Sequence, residues 1–175
     1  FFANEKRISA FFRISTLFLD KTSAMWYLIV CNDQRIPRQF MSEYTRWRQY
    51  GPDLSPIGII RGGIDPDNRY FCTPVGATVF GWAGVDGIHY CKIRRFREMI
   101  FAISPANAPG EYVHPVARNF RDFLCLLITL GDANLIEQAW MWDRARFAEE
   151  CQSVAAEQDA VQQDVIRRLT EKFSL

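Results

Sequence analysis

The chain of 175 residues lacks the short motifs that reveal many enzymes. It contains no GxGxxG or GxxxxGK[ST] phosphate-binding loop, no GxSxG nucleophile elbow and no HExxH zinc helix. Histidine, the most common general base, occurs only at His89 and His114. We therefore expect a protein that is not an enzyme and that requires no cofactor.

Cysteine is present but is not arranged for metal binding or redox chemistry. The absence of any CxxC pair excludes zinc ribbons and thioredoxin-type sites. Cys125 lies in the apolar run 123–127, where a free thiol behaves as a small hydrophobic side chain. We expect reduced, structural cysteines in a cytoplasmic protein. They are Cys31, Cys72, Cys91, Cys125 and Cys151.

The charges and apolar runs also exclude two classes of partner. Twenty-one basic and 20 acidic side chains give a net charge of +1, whereas nucleic-acid-binding proteins usually carry a larger basic excess. The basic run of Lys92, Arg94, Arg95 and Arg97 has no stacking aromatic residues interleaved with it on a sheet face. No apolar run approaches the roughly 18 residues of a membrane helix. We expect neither nucleic acid nor a membrane as partner.

The composition is that of a folded domain, with 49% hydrophobic and 14% aromatic residues. The length favours one domain. We expect residues 1–34 to form a peripheral segment, in which Met25 is a candidate start. Residues 35–150 are then the main domain, and residues 151–175 form a C-terminal helical extension.

The pattern along the chain predicts an α+β fold. Ile36, Phe40, Tyr44 and Trp47 recur at helical spacing, so a helix is predicted over residues 36–50. Strands are predicted over residues 57–60, 69–75, 78–82, 88–93 and 99–103, separated by Gly, Pro and Asp. Because no crossover helix fits between these strands, the sheet is antiparallel or mixed, with the N-terminal and C-terminal helices packed on it.

Three helices are predicted after the sheet. Asn119 caps the first and Gly131 ends it, around a dense apolar stripe. The second begins at Asn134 with Glu137 as its capping-box partner, and its core face is Ile136, Ala139, Trp140 and Phe147. The third has a sparse stripe that includes Val154, Val161, Val165 and Leu169, and it is expected at the surface. Deletion of residues 153–175 should then leave a folded core, whereas Phe123→Ala should cost roughly 3–5 kcal/mol.

The segment 86–91 contains the densest group of chemically active residues. On a strand, His89 and Cys91 share one face. Zinc needs three or four ligands, so Cys72 or His114 would have to complete a site. A Cys91 thiolate with His114 as its base is a second chemical option. A half-buried strand is the simpler interpretation, and we predict no metal site.

Four segments follow the pattern of a known family. They read VFGW at residues 79–82, DGIHYC at 86–91, MIFAISP at 99–105 and VARNFRDFL at 116–124. With the first helix, they resemble the SUKH superfamily, related to a yeast regulator of cell-wall synthesis, over about residues 35–150. The chain has Tyr50-Gly51-Pro52 where the family has Asn-Gly-Gly. The helix at 135–140 and the tail beyond it are not general family features, which suggests a divergent branch.

This resemblance implies a non-enzymatic bacterial immunity protein that binds and neutralises a toxin. Because Trp140 and Trp142 cannot both point inward from one helix, one of them should be partly exposed. A housekeeping or scaffold domain that binds a small molecule or peptide is the alternative, and an enzyme using Cys91 or His89 is a third possibility. The oligomeric state does not follow from the sequence. Our candidate anchors for a partner are Arg46, Trp47, Trp82, His89 and Trp142.

Overall fold

The computed structural model describes residues 39–62, 69–84 and 86–175, with the side chains of helix α1 described from Glu43 onward. The predicted peripheral segment 1–34 and the start of the predicted first helix lie outside these residues. The described elements form a five-stranded antiparallel sheet with one helix before it and four after it. The α+β prediction is therefore confirmed. The elements are α1 (Gln39–Gln49), β1 (Ile59–Arg61), β2 (Ala77–Ala83), β3 (Ile88–Ile93), β4 (Ile100–Ile103), β5 (Val113–Ala117), α2 (Phe120–Leu130), α3 (Ala133–Gln138), α4 (Arg144–Glu157) and α5 (Ala160–Phe173).

The sheet is a meander, with strand order β1-β2-β3-β4-β5. Strands β2 and β3 are joined by a turn in which Gly84 and Gly87 have φ values of +61° and +75°, a conformation that suits glycine. A bulge between Val79 and Gly81 shifts the register of β2. Phe80 consequently packs in the core beneath the helices, while Val79 and Trp82 pack on the opposite face.

Both faces of the sheet are covered by apolar side chains. The face that contacts the helices includes Tyr90 and Ala102, which pack with helix α2. The opposite face, here called the outer face, holds a second cluster that includes Cys91 and Phe101, against which Cys72 and other partly buried residues pack. Every residue of β4 is buried, as expected for a strand enclosed on both faces.

Helix α2 forms as the sequence predicts. The Asn119 side chain accepts a hydrogen bond from the Asp122 N–H at 2.8 Å and caps the helix. Gly131 ends it in the left-handed conformation, with φ +63°. Phe123, Leu124 and Leu127 are fully buried between the sheet and the other helices.

One predicted strand does not form, and one strand of the sheet was not predicted. Residues 69–75 form turns, with the Thr73 N–H bonded to the Tyr70 carbonyl at 3.0 Å, because Pro74 and Gly76 interrupt the run. Strand β5 was not predicted because it contains Pro115. Since β5 lies at the edge of the sheet, a residue without an N–H is tolerated there.

The second C-terminal helix begins earlier and is shorter than predicted. Asp132, not Asn134, is its N-cap, and its carboxylate accepts from the Asn134 N–H at 2.8 Å. After Gln138 the chain forms a 3-10 turn over Ala139–Met141. Trp140, predicted to face the core, therefore projects outward and is 42% exposed.

Helix α5 was expected at the surface, and this expectation is wrong. A capping box between Asp159 and Gln162 starts a new helix. Two adjacent buried residues are followed by two more at helical spacings of three and four, and all four enter the same core as α2. The predicted stripe included Val154 and Val161, which are not among the buried residues of α5, and it omitted Ile166, which is buried. The domain boundary at residue 150 stays a prediction. The buried residues are Val165, Ile166, Leu169 and Phe173.

Helices α1, α2 and α5 meet at one ion pair, in which Glu43 is buried and the Arg121 side chain is 45% exposed. The Arg121 guanidinium of α2 donates to Glu43 Oε1 of α1 at 3.0 Å. It also donates to the carbonyls of Phe173 and Ser174, at 3.4 and 2.7 Å. Arg121 therefore ties the first described helix to the end of the last one. No helix of the described ranges combines the length and the apolarity needed to cross a membrane.

Candidate functional sites

Three of the five predicted anchors lie among the helices and do not form a common site. Trp47 is 1% exposed, and its indole N–H donates to the Phe80 carbonyl at 3.3 Å. Its ring is therefore part of the core and offers no surface to a partner. The Arg46 guanidinium lies over the Phe173 ring, 5.1 Å from its centre. Trp142 is partly buried and packs against the same core from the chain between α3 and α4.

The other two predicted anchors, Trp82 and His89, are brought together on the outer face. They are opposite each other in the β2–β3 register, with ring centres 4.9 Å apart. The Tyr70 ring lies 5.9 Å from Trp82 and 5.7 Å from His89. The three rings form one packed group beside the β2–β3 turn.

His89 serves this group as a neutral, fully hydrogen-bonded side chain. Its Nδ1–H donates to the Gly87 carbonyl at 2.8 Å, which leaves Nε2 to accept from the Thr73 hydroxyl at 3.0 Å. The side chain is fully buried, and this burial lowers its pKa below the usual value of 6.5. His89 therefore fixes the segment that contains Thr73 and Tyr70 against the sheet.

Exposed apolar residues extend the group across the outer face. Phe71 is 76% exposed and meets Tyr112 edge to face, with ring centres 5.2 Å apart. Ile60, opposite Trp82 in the β1–β2 register, is 60% exposed. We call Ile60, Tyr70, Phe71, Trp82 and Tyr112 the outer-face cluster. Tyr70 and Phe71 were not among the predicted anchors, because the sequence pattern had predicted a strand over these residues.

The geometry separates the two residues that could have formed a nucleophilic pair. Cys91 faces the outer side of the sheet, whereas His114 aligns with Ala102 and Tyr90 and faces the helices, where it stacks on Trp140 at 3.7 Å. Burial raises the pKa of the Cys91 thiol to about 12. Because the thiolate is the reactive form, this thiol is suited to packing. Within the described residues, no group of three or more metal-ligating side chains could hold an ion.

A second candidate site lies on the other side of the sheet, beside helix α1. It is a cavity of about 270 Å³ with an apolar floor formed by Phe80, Ile100 and Phe120. The rest of its lining includes Tyr44 of α1 and two cationic side chains. We call this space the basic cavity. Its cations are Lys92, at the end of β3, and Arg94, in the loop that follows.

The loop beside the basic cavity is strained. Glu98 Oε1 lies 3.3 Å from the Lys92 ammonium, whereas Glu98 Oε2 is buried without a hydrogen-bond partner among the described residues. Arg97 has φ +51° and ψ −111° in a turn closed by a 3.1 Å bond from the Met99 N–H to the Phe96 carbonyl. Such a backbone conformation in a non-glycine residue costs on the order of 1–3 kcal/mol and is concentrated at functional sites.

Comparisons of this chain with protein-family models, with curated proteins and with solved structures find no match. The resemblance to the SUKH superfamily therefore stays a prediction.

Proposed function

We propose that this chain is a non-enzymatic binding protein of the immunity type, which neutralises a toxin domain by covering its surface. The observation that supports a protein partner is the outer-face cluster, in which Phe71 is 76% and Ile60 60% exposed. Contiguous exposed apolar residues are typical of interaction sites. The family resemblance supplies the partner class, a toxin domain.

The cluster has the properties of a preorganised binding surface. Tyr70 packs closely over the β2–β3 turn, since a Cβ added at Gly87 would lie only 2.6 Å from the Tyr70 ring. The buried His89 holds the neighbouring segment through Thr73. An aromatic side chain that is fixed before binding loses little conformational freedom when a partner covers it. Of the two predicted anchors in this group, Trp82 contributes to the contact surface, and the buried His89 supports that surface.

The test uses the genes on either side of the one that encodes this chain. A neighbouring gene for a toxin domain is expressed in a host whose growth it arrests, with and without this protein. We expect growth to be restored by the unchanged protein and lost with Phe71→Asp, which places a charge at the most exposed residue of the outer-face cluster. A hot-spot residue is worth about 2 kcal/mol or more, which is roughly a 30-fold loss of affinity.

Val161→Asp is the matched control, because Val161 is another exposed apolar residue, at 58%, on helix α5. It should protect as well as the unchanged protein. Equal protection by both variants would reject the outer-face cluster as the contact. If the unchanged protein neither binds a toxin domain encoded by a neighbouring gene nor protects the host against it, the immunity function would be rejected.

A second candidate function is the binding of a small molecule or peptide, and the basic cavity is the observation that favours it. Its volume of about 270 Å³ is near the lower end of the range of about 300–1,000 Å³ for ligand pockets. Its floor residues Phe80 and Ile100 belong to the helix-covered core, on the side of the sheet opposite the outer-face cluster. The two sites are therefore independent.

A further inference from the structure

We infer that the basic cavity takes a carboxylate attached to a compact apolar group, an assignment that rests on the second candidate function. The cavity places three apolar side chains, Phe80, Ile100 and Phe120, beside two cationic ones. A ligand that satisfies both parts must bury an apolar body and present an anion at one end. Pockets of this kind use apolar walls for affinity and a few polar groups for orientation.

The charges around the cavity favour an anion. The Lys92 ammonium forms an ion pair with Glu98, 3.3 Å away. Arg94 is exposed, and within the described ranges no carboxylate forms an ion pair with it. A guanidinium can bind both oxygens of a carboxylate through two parallel hydrogen bonds. Arg94 is therefore the residue that should distinguish an acid from a neutral ligand of the same shape.

The volume limits the apolar part of the ligand. Each water molecule occupies about 30 Å³ of liquid, so the 270 Å³ cavity has room for about nine waters or a similar number of ligand heavy atoms. One phenyl ring with a short chain and a carboxylate has this size. Two sources share this chemistry: a free aromatic acid and the C-terminal residue of a peptide.

The test is a titration of the full-length, ¹⁵N-labelled protein followed by NMR. The probes are 3-phenylpropionate, its neutral analogue 3-phenylpropionamide, and an N-acetylated tetrapeptide that ends in a phenylalanine carboxylate. We expect the acid to shift the backbone amide signals of Thr78, Arg94 and Ile100, which line the cavity. The amide should bind at least tenfold more weakly, because it lacks the charge-assisted hydrogen bonds to Arg94.

Two substitutions in the same loop test the role of Arg94. Arg94→Gln should weaken binding of the acid about tenfold or more and leave binding of the amide unchanged. Arg95→Gln is the matched control, because Arg95 is also exposed and is not part of the cavity lining. It should weaken binding of the acid less than twofold. Neither change removes a buried group, so both variants should fold.

The outcomes separate the inference from the function on which it rests. Equal binding of acid and amide, or equal effects of the two substitutions, would overturn the assignment to a carboxylate while leaving a ligand-binding cavity. If no probe shifts the cavity signals at 10 mM, a concentration roughly at the weakest dissociation constant of interest, both the carboxylate assignment and the ligand-binding function would be overturned. Tighter binding of the tetrapeptide than of 3-phenylpropionate would identify a peptide C-terminus as the source.

Discussion

Replacement of Leu169 by alanine should strongly destabilise the protein, because helix α5 is part of the core. Leu169 is fully buried beside Val165, Ile166 and Phe173. A buried Leu→Ala change costs roughly 2–5 kcal/mol through lost burial and a residual cavity. Together the four side chains are worth about 6–12 kcal/mol, comparable to the total stability of 5–15 kcal/mol of a typical domain. Deletion of residues 160–175 should therefore leave the chain unfolded, contrary to the expectation from sequence.

Urea unfolding followed by far-UV circular dichroism measures this effect. With a slope of about 2 kcal/mol per molar urea, Leu169→Ala should lower the midpoint by about 1–2.5 M. Val161→Ala, on the same helix but at a 58% exposed position, should change the free energy of unfolding by less than about 0.5 kcal/mol. Similar midpoints for the two variants, or a cooperative transition in the truncated chain, would refute the placement of α5 in the core.

Three further predictions concern a helix cap, the thiols and pH. Asp159→Ala, which removes the capping box of α5, should lower the free energy of unfolding by about 0.5–2 kcal/mol in the same urea assay; an unchanged midpoint would contradict the cap. Burial raises the pKa of both Cys91 and Cys151 to about 12, so iodoacetamide at pH 8 should label them only after unfolding, as read by mass spectrometry. Burial lowers the pKa of His89 below 6.5. Just below pH 6.5, His89 is therefore protonated in the unfolded chain but stays neutral in the folded protein. Stability should therefore fall with pH from 6.5 towards this lowered pKa, and an identical fall in His89→Asn would assign it to other groups.

Helix α2 could be predicted from the sequence because its determinants are local. Asn119, the apolar stripe and Gly131 lie within about a dozen residues of one another. As predicted, they cap the helix, form its buried face and end it. The burial of α5 could not be predicted in this way. The capping box at Asp159 is visible in the sequence, but the burial of Phe173 depends on Tyr50, the residue after α1, whose ring centre lies 6.0 Å away.

Neither candidate site has a local signature. The basic cavity combines Tyr44 of α1, Lys92 of β3 and Phe120 of α2, and no spacing rule relates these residues. The alternation of side chains along β3 correctly predicted that His89 and Cys91 lie on one face of the strand, which is the outer face. It could not show that Tyr70 packs over that face, since this contact depends on the path of a loop.

The contact of Arg121 with Glu43 and Phe173 has a consequence for how the chain folds. These partners are separated from Arg121 by 78 and 52 positions in the sequence. Contacts between distant residues require large loops to close before they contribute stability, which slows folding. During synthesis the sheet and α2 emerge before α5 exists to cover them, so their apolar side chains stay uncovered for the longest time. Until α5 has been synthesised and has packed, this uncovered surface is available for aggregation.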